Sequence, residues 1–312
     1  QHLQGCAEYA YRFGKKFAAS EICRTSALFH DIGKLTSEFV EYLKRNYIIE
    51  KLGDKPTGRG SVIHSTQGAK LLYEMRPAAN DLVAALASEI SAICIANHHG
   101  SLMDGISPSG DTPLIDRLTK ENDHLHYCEV IVNAENECIP VNDVQHILKR
   151  CEKELKEFIS RCRGHNLNAA FMLHLLTKSV FSCLVDSDRY NAYCFEINKT
   201  PETELPLPRW EDCAQLLEQK ILNFSADTEI NKIRRDISEK CLFASQRSKG
   251  IYRLDVPTGG GKTLSSLRFA INHAKIHKLE HVIYVIPYLS VLEQTAKDIK
   301  DAMQCKPTDD FI

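Results

Sequence analysis

Twelve cysteines are present, yet no two stand in a Cys-x-x-Cys pair. They sit singly inside apolar runs, as at Cys94 and Cys183, and read as reduced core residues of a cytoplasmic protein. No uninterrupted apolar run reaches ~18 residues, so no transmembrane helix is expected and no membrane partner. No basic-then-apolar segment opens the chain, so no signal peptide is expected either. The formal net charge is only −2. Without a global basic field, any nucleic-acid site has to be a local patch. Repeats and low-complexity tracts are missing too, which excludes a solenoid or a disordered tail as the main architecture.

What is present is the composition of a soluble globular protein, with 43% hydrophobic and 26% charged residues. The 312 residues are enough for two domains. The first half reads as helices. Leu3, Cys6, Ala7, Ala10, Phe13 and Phe17 form one apolar face. A second helix runs to Phe29-His30-Asp31 and stops at Gly33. A third holds His64, Gly68, Leu71, Leu72 and Met75 and ends at Pro77, with a loop at 56–60 before it. A fourth runs from Leu82 to Asn97-His98-His99-Gly100. Two more cover about 142–162 and 167–193.

Residues 198–210 carry Pro201, Pro206 and Pro208, the composition of a linker. Helices of about 211–224 and 229–246 follow. Ile251–Val256 and His281–Ile286 then read as buried strands, each followed by a helix, at 263–278 and 290–303. The fold expected is mainly α, followed by the start of an α/β parallel sheet. The domain boundaries expected are 1–197, a connecting segment with one helix at 198–228, and 229–312. The chain opens on Gln1 and stops in mid-pattern at Asp310-Phe311-Ile312, which reads as a piece of a longer protein.

A His-Asp dipeptide alone is weak, but His30-Asp31 has company. His64 follows some thirty residues later and His98-His99 about thirty after that, while His2 lies on the first helix and Asp188 on a late one. Each sits on a helix or at its end, so a bundle can bring them together, as bundles do for metal sites. Imidazoles and carboxylates without thiolate suit Mn, Fe, Ni or Co. Asp31 can bridge two metals, one through each oxygen, and such a pair clamps an in-line phosphoryl displacement. Lys34 is placed to neutralise a phosphate oxygen. Asp186 rivals Asp188, since two helix residues that close in sequence face different ways. His124, His126, His146, His165 and His174 read as ordinary surface or core residues.

Val256-Pro257-Thr258-Gly259-Gly260-Gly261-Lys262-Thr263 lies between a strand pattern and a helix pattern, the context a phosphate loop requires. Thr258, Gly259, Gly260 and Gly261 offer backbone N–H groups to phosphates of ATP. Lys262 is expected on the β/γ-phosphates and Thr263 on Mg²⁺. Val256 departs from the strict pattern, which has Gly there. An acidic Mg²⁺ motif, later arginines and a second lobe do not occur before Ile312. On that reading the chain binds nucleotide poorly and does not hydrolyse it or translocate alone.

His30-Asp31-Ile32-Gly33-Lys34, His64-Ser65, Asn97-His98-His99-Gly100 and Ser187-Asp188-Arg189 resemble the HD superfamily of metal phosphohydrolases. More narrowly they resemble the HD nuclease of the CRISPR-associated helicase–nuclease of type I systems, over residues 1 to about 195. That resemblance implies a first metal site of His2, His30, Asp31 and Asp188, and a second of Asp31, His64, His98 and His99. The glycine loop, Val285-Ile286-Pro287-Tyr288 with Gln294, and the segment 229–250 with Arg234-Arg235 are similar to superfamily 2 helicases. The resemblance implies a monomeric, metal-dependent nuclease of single-stranded DNA, coupled to an ATP-driven motor and recruited by the Cascade surveillance complex. Two other readings of the same residues are a phosphohydrolase of nucleotides or cyclic dinucleotides and a non-catalytic DNA-binding subunit.

Overall fold

The computed structural model describes residues 1–53, 55, 58, 62–76, 81–198, 209–225 and 227–304. The loop at 56–60 lies almost wholly outside these residues, as do the Pro77 stop and most of the 198–210 linker. The chain divides into two compact units, Gln1–Pro201 and Glu202–Ile312. Thirteen α-helices occur among the described residues, and no strand.

The first unit is a helical bundle. Helices α1 (His2–Lys15) and α2 (Ser20–Phe29) pair most extensively, and both pack on α9 (Ala169–Glu196). Helix α5 (Leu82–Asn97) is apolar on nearly every side, which suits the centre of a bundle. It packs on α2, on α4 (Gln67–Glu74), on α8 (Val144–Gly164) and on α9. The core gathers Ile22, Phe29, Ile32, Leu72, Ile95, Leu148, Leu155 and Leu184, all fully buried. Helices α3 (Ser37–Lys51), α6 (Pro113–Leu118) and α7 (Tyr127–Asn136) complete the unit.

Short polar side chains set where these helices begin. Asp81 Oδ1 accepts from the N–H groups of Val83 and Ala84 at α5, both at 3.2 Å. Asn168 does the same at α9, accepting from Phe171 N–H at 3.1 Å. The start of α2 is capped across the fold, where Glu154 of α8 accepts from Glu21 and Ile22 N–H at 2.9 and 3.1 Å. Those bonds satisfy donors that a helix start leaves open.

Three expectations change in this unit. His64 precedes α4 and lies in the loop before it, because α4 begins only at Gln67. Cys128 and Cys138 are exposed, while the other nine described cysteines are buried. Cys138 stands after the end of α7 with φ 58°, outside any packed helix face. By length and composition α9 is apolar enough to cross a membrane, although no uninterrupted apolar run signals it. Its stripe of Leu176, Val180, Cys183, Leu184 and Ser187 is buried against the rest of the bundle, while Phe171, Leu175, Tyr193 and Phe195 are exposed.

The second unit holds α10 (Trp210–Leu222), α11 (Glu229–Ala244), α12 (Lys262–His277) and α13 (Leu289–Met303). Helix α10, expected as part of a connector, belongs to this core. Its Cys213, Ala214 and Leu217 pack with Leu267 and Ile271 of α12 and Ala302 of α13. Trp210 Nε1 donates to the carbonyl of Leu279 at 2.6 Å. Arg268 forks onto Glu218, with Nε to Oε1 at 2.6 Å, and its Nη1 reaches Ser238 Oγ at 3.1 Å. One guanidinium thus ties α10, α11 and α12 together. Ile251–Val256 and His281–Ile286 carry no strand ladder, and Ile251, Ile283 and Val285 are exposed. A strand exists only through a neighbour's backbone, and among the described residues neither run is paired with one.

Gly68 in α4 marks where the bundle is tightest. A Cβ there would lie 1.9 Å from the carbonyl oxygen of Phe29, at the end of α2. Gly68→Ala should therefore lower the denaturant midpoint of the chain, by about 1–3 kcal/mol or more in stability. Gly105→Ala, where nothing lies within 4 Å, should stay within about 0.5 kcal/mol. Equal midpoints for the two variants would overturn the backbone-contact argument.

Candidate metal centre and phosphate loop

The centre is built at helix ends. His30 follows the last residue of α2 and His98 the last residue of α5. Each ring donates Nδ1–H to the carbonyl three residues upstream, Ala27 and Ile95, both at 2.7 Å. Those carbonyls belong to final turns, and that of Ile95 also accepts the His98 backbone N–H at 3.4 Å. The Nδ1–H bond satisfies them and fixes the ring, leaving Nε2 inward. His64 uses the same device with Val62 O at 3.0 Å. In His2, Nδ1 donates to Asn191 Oδ1 at 2.8 Å. Asn191 comes this close because residue 5 is glycine, where a Cβ would meet the Asn191 amide at 2.3 Å.

Asp31 lies at the middle and is 2% exposed. Its Oδ2 faces His30 Nε2 at 3.2 Å and Lys34 Nζ at 2.5 Å. Its Oδ1 faces His98 Nε2 at 3.3 Å and His99 Nε2 at 4.0 Å. The two oxygens therefore look to opposite sides. On one side Asp188 Oδ1 meets His2 Nε2 at 3.1 Å and His30 Nε2 at 3.5 Å. On the other, His64 Nε2 and His99 Nε2 stand 2.7 Å apart. Asp188, not Asp186, is the late-helix carboxylate that faces the histidines.

His30 Nε2, His98 Nε2 and both Asp31 oxygens are buried with no hydrogen-bond partner, despite lying within ion-pair reach. With Nδ1 already donating, a neutral ring turns a bare lone pair toward a carboxylate. Only a proton or a metal cation relieves that opposition. Burial works against a charged His30, but the Asp188 and Asp31 carboxylates outweigh it and raise its pKa to about 9. Burial likewise opposes charge on Asp31, and the His30 and His98 rings nevertheless hold it well below the carboxylate range. Asp188 is held low by His2 and His30, again against burial. Burial, with the nearby His98 ring, lowers His99 to about 4, and burial also lowers His64. Neutral imidazoles and ionised carboxylates are the forms that bind metals.

Three groups have ligand atoms all within 4.8 Å of one another: His2, Cys6, His30 and Asp188; His30, Asp31 and His98; and Asp31, His64 and His99. The residues present thus fit divalent metal on both sides of Asp31. Two details differ from the sequence reading. Lys34 pairs with Asp31, its nearest anion one helical step away, and so is not held toward open space. Cys6, read as core filling, has Sγ 3.6 Å from His2 Nε2. The signal for it was there, since His2 and Cys6 are four residues apart and share one face of α1. His124, His126 and His146 pair with exposed carboxylates away from the centre.

In the second unit, Gly259 and Gly261 take φ of 82° and 80°, a region that favours glycine. Gly260 is needed for space, because a Cβ would meet Val256 Cγ1 at 2.5 Å. Val256 therefore packs under the loop, which accounts for a side chain at the position where the strict pattern has Gly. Lys262 opens α12 and is exposed, Thr263 follows it, and Thr258 is exposed at the loop's rim. Arg234 Nε donates to the Gly259 carbonyl at 2.8 Å and steadies the loop from α11. A cavity of about 200 Å³ lies beside it, lined by Phe224, Asn231, Arg234, Arg235 and Gly261. Tyr288 is exposed, and Gln294 bonds locally to Asp298 at 2.8 Å.

Residues 1–130 match the family model of the HD domain, and residues 212–311 match that of the type III restriction enzyme, res subunit (ResIII). An HD domain is followed by a helicase-type ResIII segment. The pairing marks a hydrolase with a helicase-family domain. The HD match ends before α9, so Asp188 joins the centre through the packing of α9 on α1 and α2. Comparison with curated proteins yields no match.

The HD centre makes a pH prediction for the metal-free chain. His30, raised to about 9, contributes stability that is fully present below its ordinary value of 6.5 and is lost as pH rises through about 9. The melting temperature of metal-free chain should fall between pH 6.5 and 9. Added Mn²⁺ or Co²⁺ should raise it most at the alkaline end, where no proton competes. Asp31→Asn should flatten the slope and abolish the metal-dependent rise. A metal-free melting temperature independent of pH in this window would contradict the charge arrangement.

Proposed function

We propose that the chain is a metal-dependent nuclease of single-stranded DNA. Within a longer protein it is coupled to an ATP-driven helicase that serves CRISPR interference and is recruited by the Cascade surveillance complex. The observation that carries this reading is the buried set of His30 Nε2, His98 Nε2 and Asp31, which face one another without hydrogen bonds, in the same chain as a glycine loop of phosphate-binding shape. One metal would be held by His2, His30, Asp31 and Asp188, and the other by Asp31, His64, His98 and His99, with Mn, Fe, Ni or Co as the candidates. Bound metal supplies a Lewis acid and an acidified water.

The chain's own residues do the rest. Asp31 offers one oxygen to each side and so fixes the spacing of the two ligand groups. The carbonyls of Ala27, Ile95 and Val62 and the Asn191 amide hold the four rings in one tautomer. Lys34, partly exposed beside Asp31, supplies positive charge where a phosphate approaches. In the second unit, Gly259, Gly260 and Gly261 would turn backbone N–H groups toward phosphates, Lys262 would reach the β/γ-phosphates, and Thr263 would hold Mg²⁺. The cavity bordered by Phe224, Asn231 and Arg234 has room for the base of ATP.

The metal ligands all precede residue 199 and the glycine loop all follows 209. Cutting of an unpaired strand should therefore need metal and not ATP. Asp31→Ala should remove it by several orders of magnitude, and Lys262→Ala should leave it unchanged. In a longer protein carrying the rest of the motor, Lys262→Ala should stop processive duplex degradation. Strict ATP dependence of single-strand cutting would overturn this division. Hydrolysis of mononucleotides or cyclic dinucleotides, with DNA strands left intact, would replace the nuclease by a small-molecule phosphohydrolase.

A further inference from the structure

The HD centre contains one residue that the His/Asp ligand set does not use. Cys6 is fully buried on α1, one turn from His2. Its sulfur does not sit among apolar side chains alone, since it lies 3.6 Å from His2 Nε2. Cys94 and Cys151, by contrast, have Sγ engaged with the Thr177 carbonyl and Thr25 Oγ, away from any metal-capable group. Among the described residues, Cys6 is the one cysteine that joins such a group, with His2, His30 and Asp188.

The spacing of this group is that of ligands around one ion. With bonds of about 2.0–2.1 Å to nitrogen or oxygen and about 2.3 Å to sulfur, the edges of a tetrahedron come to roughly 3.3–3.5 Å. Three of the six edges are 3.1 Å for His2 to Asp188, 3.5 Å for His30 to Asp188 and 3.6 Å for His2 to Cys6, and the rest lie within 4.8 Å. A second observation points to the same ligand independently of the thiol. His30 Nε2, wholly buried, faces the group without a hydrogen-bond partner.

We propose that Cys6 is a thiolate ligand of the metal position formed by His2, His30 and Asp188. On binding, the S–H bond of Cys6 breaks, its proton passes to the buffer, and a sulfur–metal bond forms with no change of oxidation state. The position then gains one sulfur beside the nitrogens of His2 and His30 and the carboxylates of Asp31 and Asp188, and it favours softer ions than the side built from Asp31, His64, His98 and His99. The proposal rests on the metal-centre reading of the HD unit and adds a ligand to it.

Cobalt tests both and separates them. Metal-stripped chain titrated with Co²⁺ should develop the visible bands of bound cobalt together with a near-ultraviolet sulfur-to-cobalt charge-transfer band. Cys6→Ser should keep the visible bands and lose the charge-transfer band. X-ray absorption of zinc-loaded wild-type chain needs no variant, so it serves if Cys6→Ser does not fold. It should find a sulfur scatterer at about 2.3 Å beside nitrogen and oxygen at about 2.0–2.1 Å. Bound cobalt without the near-ultraviolet band, or a zinc shell of nitrogen and oxygen alone, would overturn the Cys6 assignment and leave the metal centre standing. No cobalt bound at all would overturn both.

Discussion

A carboxylate buried to 2% exposure has to be met by positive charge, and Asp31 organises the first unit for that reason. Lys34 and the His30 and His98 rings supply part of the charge, yet both oxygens remain without hydrogen bonds. Everything that brings those groups together is helix packing. Helix α2 delivers His30 and Asp31, α5 delivers His98 and His99, and α1 and α9 deliver His2 and Asp188. The apolar core beneath, from Ile22 to Leu184, is what makes it possible to hold so many like and unlike charges in one place.

The orientation of the rings follows from the same packing. A helix that ends leaves carbonyls open, and here those of Ala27 and Ile95 are closed by the histidines that come next. The helix end is completed and the ligand is aimed by one bond. Removing the ring would then cost the helix end a hydrogen bond as well as the centre its ligand. Asn191 and Gly5 do the corresponding work for His2, which opens α1, has no final-turn carbonyl beside it and takes its partner from another element.

Much of this was legible in the chain. The His30-Asp31, His64, His98-His99 and Asp188 groups could be named because their residue types and their spacing along the chain are local properties. Periodicity located α1, α5, α8, α9, α12 and α13 for the same reason. What pattern could not supply was tertiary. The choice of Asp188 over Asp186 depends on the angle at which α9 meets α1. The pairing of Lys34 with Asp31 depends on a short turn of 3-10 helix at Ile32–Leu35. Cys6 was taken for core because a buried thiol looks the same in sequence whether its neighbours are leucines or histidines. The strand readings at 251–256 and 281–286 rested on composition, and a strand needs a neighbour that composition does not provide.

Gly33 and Gly68 carry a consequence for how this centre can change over generations. A Cβ on Gly33 would strike the His64 carbonyl at 2.3 Å, and one on Gly68 would strike the Phe29 carbonyl. The His30-Asp31 turn and the His64 segment thus meet in close backbone contact, with the Gln67 amide wedged beside Gly33. Mutation can trim or enlarge side chains elsewhere in the bundle, but it has little material to work with at this seam. The interval between the two halves of the centre is therefore inherited almost as a fixed gauge. Diversification among descendants of such a chain has to proceed by swapping the donors on either side, not by stretching the distance between them.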